Sequence, residues 1–290
     1  MMDRLILPLV VALLGCASFA GAQVSATLSI GKKQHLAGEP VLAVVTVTNH
    51  SGTDLVFQSD GRFQWLDFLV KSSSGNPVTP RGRKLFGPMK INAGQTLARE
   101  VNLAEHFQLD DPGNFTVSAV IHAPGSYSGG SSTNRVFFNQ SPGRVYWSQK
   151  VGIPGKSGQT REFRVINFSG DSKAHLYAQI VDGRTGQFVR TFPLGDVLMM
   201  RKPLATVDRQ QRMHVMFLAT PAMWVHCVID TDGRLINRQI HQRGPQGDPQ
   251  MLTLADGSVR VANSIPYDPR AAAQQRAAVR KASDRPPGVP

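Results

Sequence analysis

From Ser25 onward the chain alternates apolar and polar residues. Ala26, Leu28 and Ile30 fall on one side of an extended segment, with Thr27 and Ser29 on the other. The stretch GEPVLAVVTVTNHSGTDLVF reads as a long strand, a polar turn at 49–53 and a short strand. FQWLDFLVKSSSGNPVTP gives a further strand that ends in a Ser/Gly/Pro turn, and KINAGQTLAREVNL repeats the pattern. Helix-period segments are scarce. Strands at this spacing predict an antiparallel sandwich over residues 24–138.

The segment Asp111-Pro112-Gly113-Asn114-Phe115 resembles the Asp-x-Gly-x-Tyr corner that precedes a central strand in immunoglobulin-type domains. On that reading residues 116–121 form the strand, Gly113 can take a left-handed backbone conformation at low cost, and Pro112 fixes the approach. Phe115 stands where the corner tyrosine would be, so the hydroxyl bond of that motif is missing. The stretches GEPV, VTVTN and AGQT also resemble strands of bacterial immunoglobulin-like modules. The resemblance implies an immunoglobulin-like β-sandwich and carries no activity, because such folds host many functions.

The second half carries a pattern of its own. LYAQIVDGRTGQFVRTFPLGDV and VHCVIDTDGRLINRQIHQRGPQ resemble each other, with Asp182 matching Asp230 and Arg190 matching Arg238. The offset of roughly 48 residues lies in the range of propeller-blade repeats. Asp232-Gly233 and Asp256-Gly257 are tight-turn signals, and Asp182 and Asp208 open the matching turns of the first copy. A partial copy is expected at REFRVINF. Fewer units are present than a closed propeller requires. Residues 144–268 are therefore expected to form an antiparallel β-meander module, either an incomplete propeller-like stack or a sandwich. The whole chain is expected to be all-β. The last segment, 269–290, has five basic residues against one acidic and ends in Pro-Pro-Gly-Val-Pro, and is expected to be a disordered basic tail.

The ends bear on location. Residues 1–22 have a short positive start, an apolar run too short to span a bilayer and the small residues Ala20-Gly21-Ala22. This is the pattern of a secretory signal peptide cut before Gln23. The alternative is lipoprotein processing, because Leu13-Leu14-Gly15-Cys16 resembles a bacterial lipobox. The chain would then be membrane-attached through Cys16. A secreted or periplasmic location is expected otherwise. With signal cleavage Cys227 remains alone, and no intramolecular disulfide can form. The net charge is +12, which suits anionic lipid, polysaccharide or envelope polymer as well as plain solubility. Nucleic acid is not expected as a partner, since no reading helix, zinc knuckle or RNP-type motif is present.

Catalytic motifs are not found: the second half contains no Gly-x-Ser-x-Gly, no His-Glu-x-x-His and no Walker loop. No cofactor is expected. The run RGRKLFGPMK places Arg81, Arg83 and Lys84 around Phe86, a candidate binding loop for an anion or a protein partner. His106, Asp110 and Asp111 match no established metal loop and read as a solvated corner. Among soft donors, His214, Met216 and His226 share one strand face or its neighbour and are the candidates for copper or zinc. Met is equally a core filler. Cys227 alternates with Val225 and Ile229 and reads as a buried apolar residue. Trp147 and Trp224 read as packing residues, with sugar stacking as the alternative. Three functions follow: a non-enzymatic binding or scaffold protein of the bacterial cell envelope, an inhibitor or accessory module for a secreted hydrolase, or a copper- or zinc-binding envelope protein.

Overall fold

In a computed structural model the protein is described over residues 24–60, 63–82, 85–124, 130–170, 173–268, 270–274 and 277. The expected signal peptide, with Cys16, lies outside the described residues, as do Arg83 and Lys84. The chain is all-β and sandwich-like, built from several mainly antiparallel sheets, with no barrel among the described residues.

The first half contributes β1 (Val24–Ile30), β2 (Gln34–Leu36), β3 (Leu42–Asn49), β4 (Leu55–Phe57), β5 (Leu66–Ser72), β6 (Met89–Ile91), β7 (Thr96–Asn102), a helical turn α1 (Leu103–His106), β8 (Gly113–Ile121), β9 (Ser131–Ser132) and β10 (Val136–Ser141). One sheet runs in the order β1-β3-β7 and the other β2-β10-β8-β5, with β9 on β8 and a small β4–β6 ladder beside them. The period-two pattern explains the core. Ala43, Val45 and Val47 of β3 point inward, as do Val117, Ala119 and Ile121 of β8, and all are almost fully buried. Asn102 fixes the turn into α1, its side-chain oxygen accepting from Ala104 N at 3.2 Å and from Val41 N at 3.1 Å.

The corner differs from its expected form. Gly113 is the first residue of β8, paired with Gln140 of β10, and its backbone is not left-handed. Continued pairing with β10 draws residues 113–115 into the strand. Phe115 is buried and stacks on Phe138, with ring centroids 5.3 Å apart. Ring packing replaces the tyrosine bond.

The second half contributes β11 (Arg144–Ile153), β12 (Lys156–Ser169), β13 (Ala174–Asp182), β14 (Phe188–Asp196), β15 (Leu204–Val207), β16 (Met213–Thr220), β17 (Met223–Ile229), β18 (Leu235–Arg243), β19 (Gln250–Thr253), β20 (Val259–Ala262) and β21 (Ser264–Pro266). β11-β12-β13-β14 is a four-stranded meander, β15-β16-β17-β18-β21 is a second sheet, and β19–β20 is a separate hairpin. The two larger sheets bury a common apolar layer. It holds Phe163, Val165 and Ile180 from one sheet and Val215, Phe217 and Cys227 from the other. The hairpin turns share one device. The Oδ1 atoms of Asp182, Asp208, Asp230 and Asp256 each accept from the backbone N–H two residues on. Gly186, Gly233 and Gly257 take the left-handed position in their turns, and in the Asp208 turn Gln211 takes it, with φ +60°.

The halves meet around Pro142-Gly143. A Cβ on Gly143 would lie 2.6 Å from Ile166 and 2.8 Å from Leu36, so the crossing needs glycine. Leu36 packs with Ile166, Phe168 and Tyr177 in a small cluster that joins the halves. Gln179 Nε2 donates to Ala37 O at 2.9 Å and to Thr191 Oγ1 at 3.2 Å. No helix among the described residues is long and apolar enough to cross a membrane.

Candidate functional site

Two places collect chemistry. The first is a cleft of about 870 Å³ between the halves. Leu42 and Pro40 line it from the first half, and Phe188, Phe192 and Pro193 of β14 line it from the second. Among the described residues β14 is the outer strand of its sheet and pairs only with β13. It therefore offers the cleft a backbone edge as well as side chains. Its turn-side end is fixed by close packing: Gly38 is left-handed, and a Cβ there would meet the Phe188 ring at 2.6 Å.

Arg81, one of the four binding candidates, lines this cleft. Its guanidinium grips both carboxylate oxygens of Asp110 and donates from Nε to Phe107 O at 3.0 Å. Arg190 lies over the Phe192 ring at 5.7 Å on the opposite wall. Phe86 is placed elsewhere. It stacks on His106 at 4.9 Å and touches Phe68 at 5.9 Å, as part of the first core. The basic loop is thus divided: its start belongs to the cleft and its aromatic anchor to the core.

A polar network closes the back of the cleft. Glu39, 4% exposed, accepts from Leu36 N at 3.1 Å, pairs with Lys32 and contacts His35 Nδ1 at 3.2 Å. Burial raises the Glu39 carboxyl pKa, but the bonds from His35 and Lys32 outweigh it and hold it below its ordinary value. Lys32 also reaches Tyr177 Oη at 3.4 Å. Burial and the neighbouring Glu39 push the Tyr177 phenol above its ordinary value. Lys32, His35 and Glu39 are local partners within the first half, and among the described residues only Tyr177 reaches them from the second.

The second place is the other face of the β15–β18 sheet, turned away from the shared apolar layer. His214 and Met216 of β16 lie there beside Trp224 and His226 of β17 and His241 of β18, all almost fully buried. The expected trio does come together: Met216 is the cross-strand partner of His226, and His214 Nδ1 lies 3.1 Å from His226 Nε2. Asp208, whose role was not visible in the sequence, anchors the group. Its Oδ2 accepts from His214 Nε2 at 3.2 Å and from Arg212 Nε at 2.8 Å. Its backbone turn aims it, with the amides of Gln210 and Arg212 donating to Oδ1. Burial pushes the carboxyl pKa of Asp208 up, and the bonds from Arg212 and His214 more than reverse that.

Burial lowers the pKa of all three imidazoles. For His226, burial together with the neighbouring His214 and His241 brings it down to about 4. The neutral relay then has one sense. His214 donates to Asp208, and His226 Nε2–H donates to His214 Nδ1. His241 Nδ1 bonds the Ser264 hydroxyl at 3.1 Å. Both ring nitrogens of His214 are engaged, so it has no lone pair left for a ligand. Among the described residues three buried nitrogens on this face have no hydrogen-bond partner: Trp224 Nε1, His226 Nδ1 and His241 Nε2. Among the described residues no group of three or more His, Cys, Asp or Glu side chains is arranged to hold a metal ion. Cys227 faces the apolar layer instead, and burial pushes its thiol up to about 11. It is a thiol, not a thiolate, at neutral pH.

No protein-family model matches the chain, and no curated protein matches it in sequence.

Proposed function

We propose that the chain is an exported, non-enzymatic binding or scaffold protein of the bacterial cell envelope that receives an extended partner in the cleft between its halves. The observation that carries the reading is the composition of that cleft. An apolar floor of Leu42, Phe188 and Pro193 lies beside the outer strand β14, with Arg81 and Arg190 on facing walls. An unpaired strand edge offers main-chain bonds to an extended segment, and neighbouring apolar positions offer pockets for its side chains. The net charge of +12 favours an acidic partner surface.

The test uses two exposed wall positions whose replacement leaves both cores intact. Leu42→Asp and Arg190→Glu are compared with the wild type for retention of solubilised envelope proteins and of purified cell-wall polymer at low salt. Retention of one of the two classes by the wild type, falling at least tenfold in both variants, supports the reading. A wild type that retains neither class, or variants that bind as well as it does, would sink it. Intact mass of the exported protein settles its processing: a chain beginning at Gln23 is free, and a diacylglyceryl mass on Cys16 is anchored.

A further inference from the structure

The three unpartnered nitrogens behind β16–β18 form one patch. Trp224 and His241 are direct cross-strand partners, and His226 follows Trp224 by two residues on the same face. Orphaned polar atoms this deep are uncommon, and each loses the hydration it had in the unfolded chain. The structure also spends bonds on orienting them. Asp208 holds His214, which in turn holds His226 at Nε2, and Ser264 holds His241 at Nδ1, so that His226 and His241 are each held through the ring nitrogen that is not orphaned. Imidazoles held at the far nitrogen with the near one bare are the arrangement that outer-shell partners give to metal ligands.

We propose that His226 Nδ1 and His241 Nε2 hold a single copper(I) ion between them, with the Met216 thioether as the adjoining soft donor. The ring centroids lie 6.2 Å apart. An ion about 2 Å from each of two opposed imidazole nitrogens sets the centroids roughly 6 Å apart. Zinc is not served here, because it takes four ligands in a closed site, and Asp208 is already committed to Arg212 and His214. Copper(I) accepts two or three donors and favours thioether sulfur. Met216 stands across from His226 in register. Met251 of the β19–β20 hairpin packs onto the same Met216–Trp224 cluster. Met200, 82% exposed, lines a cleft of about 1250 Å³ together with Met251 and Trp224, which gives the ion a thioether-lined approach. Trp224 Nε1 carries its proton and is not a ligand.

The experiment is an anaerobic copper(I) titration of the exported protein against a chromophoric copper(I) chelator, followed by X-ray absorption on the loaded sample. One equivalent per chain is expected, with two imidazole nitrogens and sulfur in the first coordination sphere. His241→Gln should weaken retention about a hundredfold or more, and Cys227→Ala, on the opposite face, should leave it unchanged. Zinc(II) offered alone should stay substoichiometric. A wild type that yields all its copper to the chelator overturns the proposal and leaves a bridging water as the occupant. Retention that survives His241→Gln, or disappears with Cys227→Ala, overturns it as well. If His241→Gln does not fold, as judged by far-ultraviolet circular dichroism, the absorption spectrum of the wild type decides: fewer than two imidazole scatterers ends the assignment.

Discussion

The molecule buries two polar networks, and they are finished to different degrees. At the joint between the halves, Lys32, His35 and Glu39 of the first half bond to one another, Lys32 reaches Tyr177 across the interface, and Gln179 ties Ala37 to Thr191. Behind β16–β18, the chain Asp208–His214–His226 is equally ordered at its carboxylate end but stops at a bare nitrogen, with His241 Nε2 and Trp224 Nε1 unpartnered beside it. A satisfied network specifies how two surfaces fit together. One that is ordered and then left open holds something, or tolerates a cost, at its free end. The joint is thus structural, and it frames the cleft. Among the described residues, the histidine face leaves bonding capacity unused on three neighbouring nitrogens, whereas the buried side chain of Gln140, near the joint, and Arg161 Nε and Asn167 Oδ1 leave theirs unused singly.

Removing the acceptor at the joint should have the largest effect. Glu39→Ala strands the buried His35 and Leu36 amide, unpairs the exposed Lys32, and should cost about 3 kcal/mol, read as a fall in denaturant midpoint. Glu39→Gln sharpens this through pH. The native carboxyl is held below its ordinary value of 4.5. The ionised form therefore stabilises the native state fully above pH 4.5, and this contribution is lost as pH falls through the lowered native value. The stability gap between wild type and Glu39→Gln should be constant above pH 5 and close on acidification. A gap that widens toward acid would mean the joint is not held by that carboxylate.

Asp208→Ala comes next. It unpairs His214 and frees the turn amides, and should cost about 2–3 kcal/mol in chemical denaturation. Equality with Glu39→Ala would erase the distinction between the networks. Gln211→Gly acts on the turn that aims Asp208. Gln211 has φ +60° where sister turns carry glycine, so the change should raise stability by about 1 kcal/mol, read as a higher melting temperature. His241→Leu, assayed without metal, should have the smallest effect, within about 0.5 kcal/mol, because the lost ring carries an unpaired nitrogen with it. A loss of several kcal/mol would show that His241 is a full member of a closed network.

The strands were legible because alternation is local. β3 and β8 follow their period-two runs, and three of the four Asp-led turns lie where Asp-Gly pairs stand, the Asp208 turn being the exception. Arg81 was legible as a basic residue near an aromatic. Its fate was not: Asp110, 29 residues away, captures it, and Phe86 leaves it for the core. His214, Met216 and His226 were legible as neighbours on a pleat. That His214 is fully occupied, and that His241 supplies the free nitrogen in its place, depended on a strand order and register that no short segment encodes. Asp208 read only as a turn residue, because its side chain serves the turn and the histidine at once.

Taken alone, the sequence determined the all-β character, the inward faces of the first sandwich and the positions of the hairpin turns. Each of these is set by residues within a few positions of one another. The tertiary structure decided which faces are covered. β16 and β17 are buried on both sides, so the alternation that marks one face as core cannot mark the other as buried too. The cleft, the joint and the open end of the histidine relay all lie between segments distant in the chain, such as Ala37 and Gln179, 142 residues apart. Contacts of that kind follow from how sheets stack, and hydrophobic period carries no record of it.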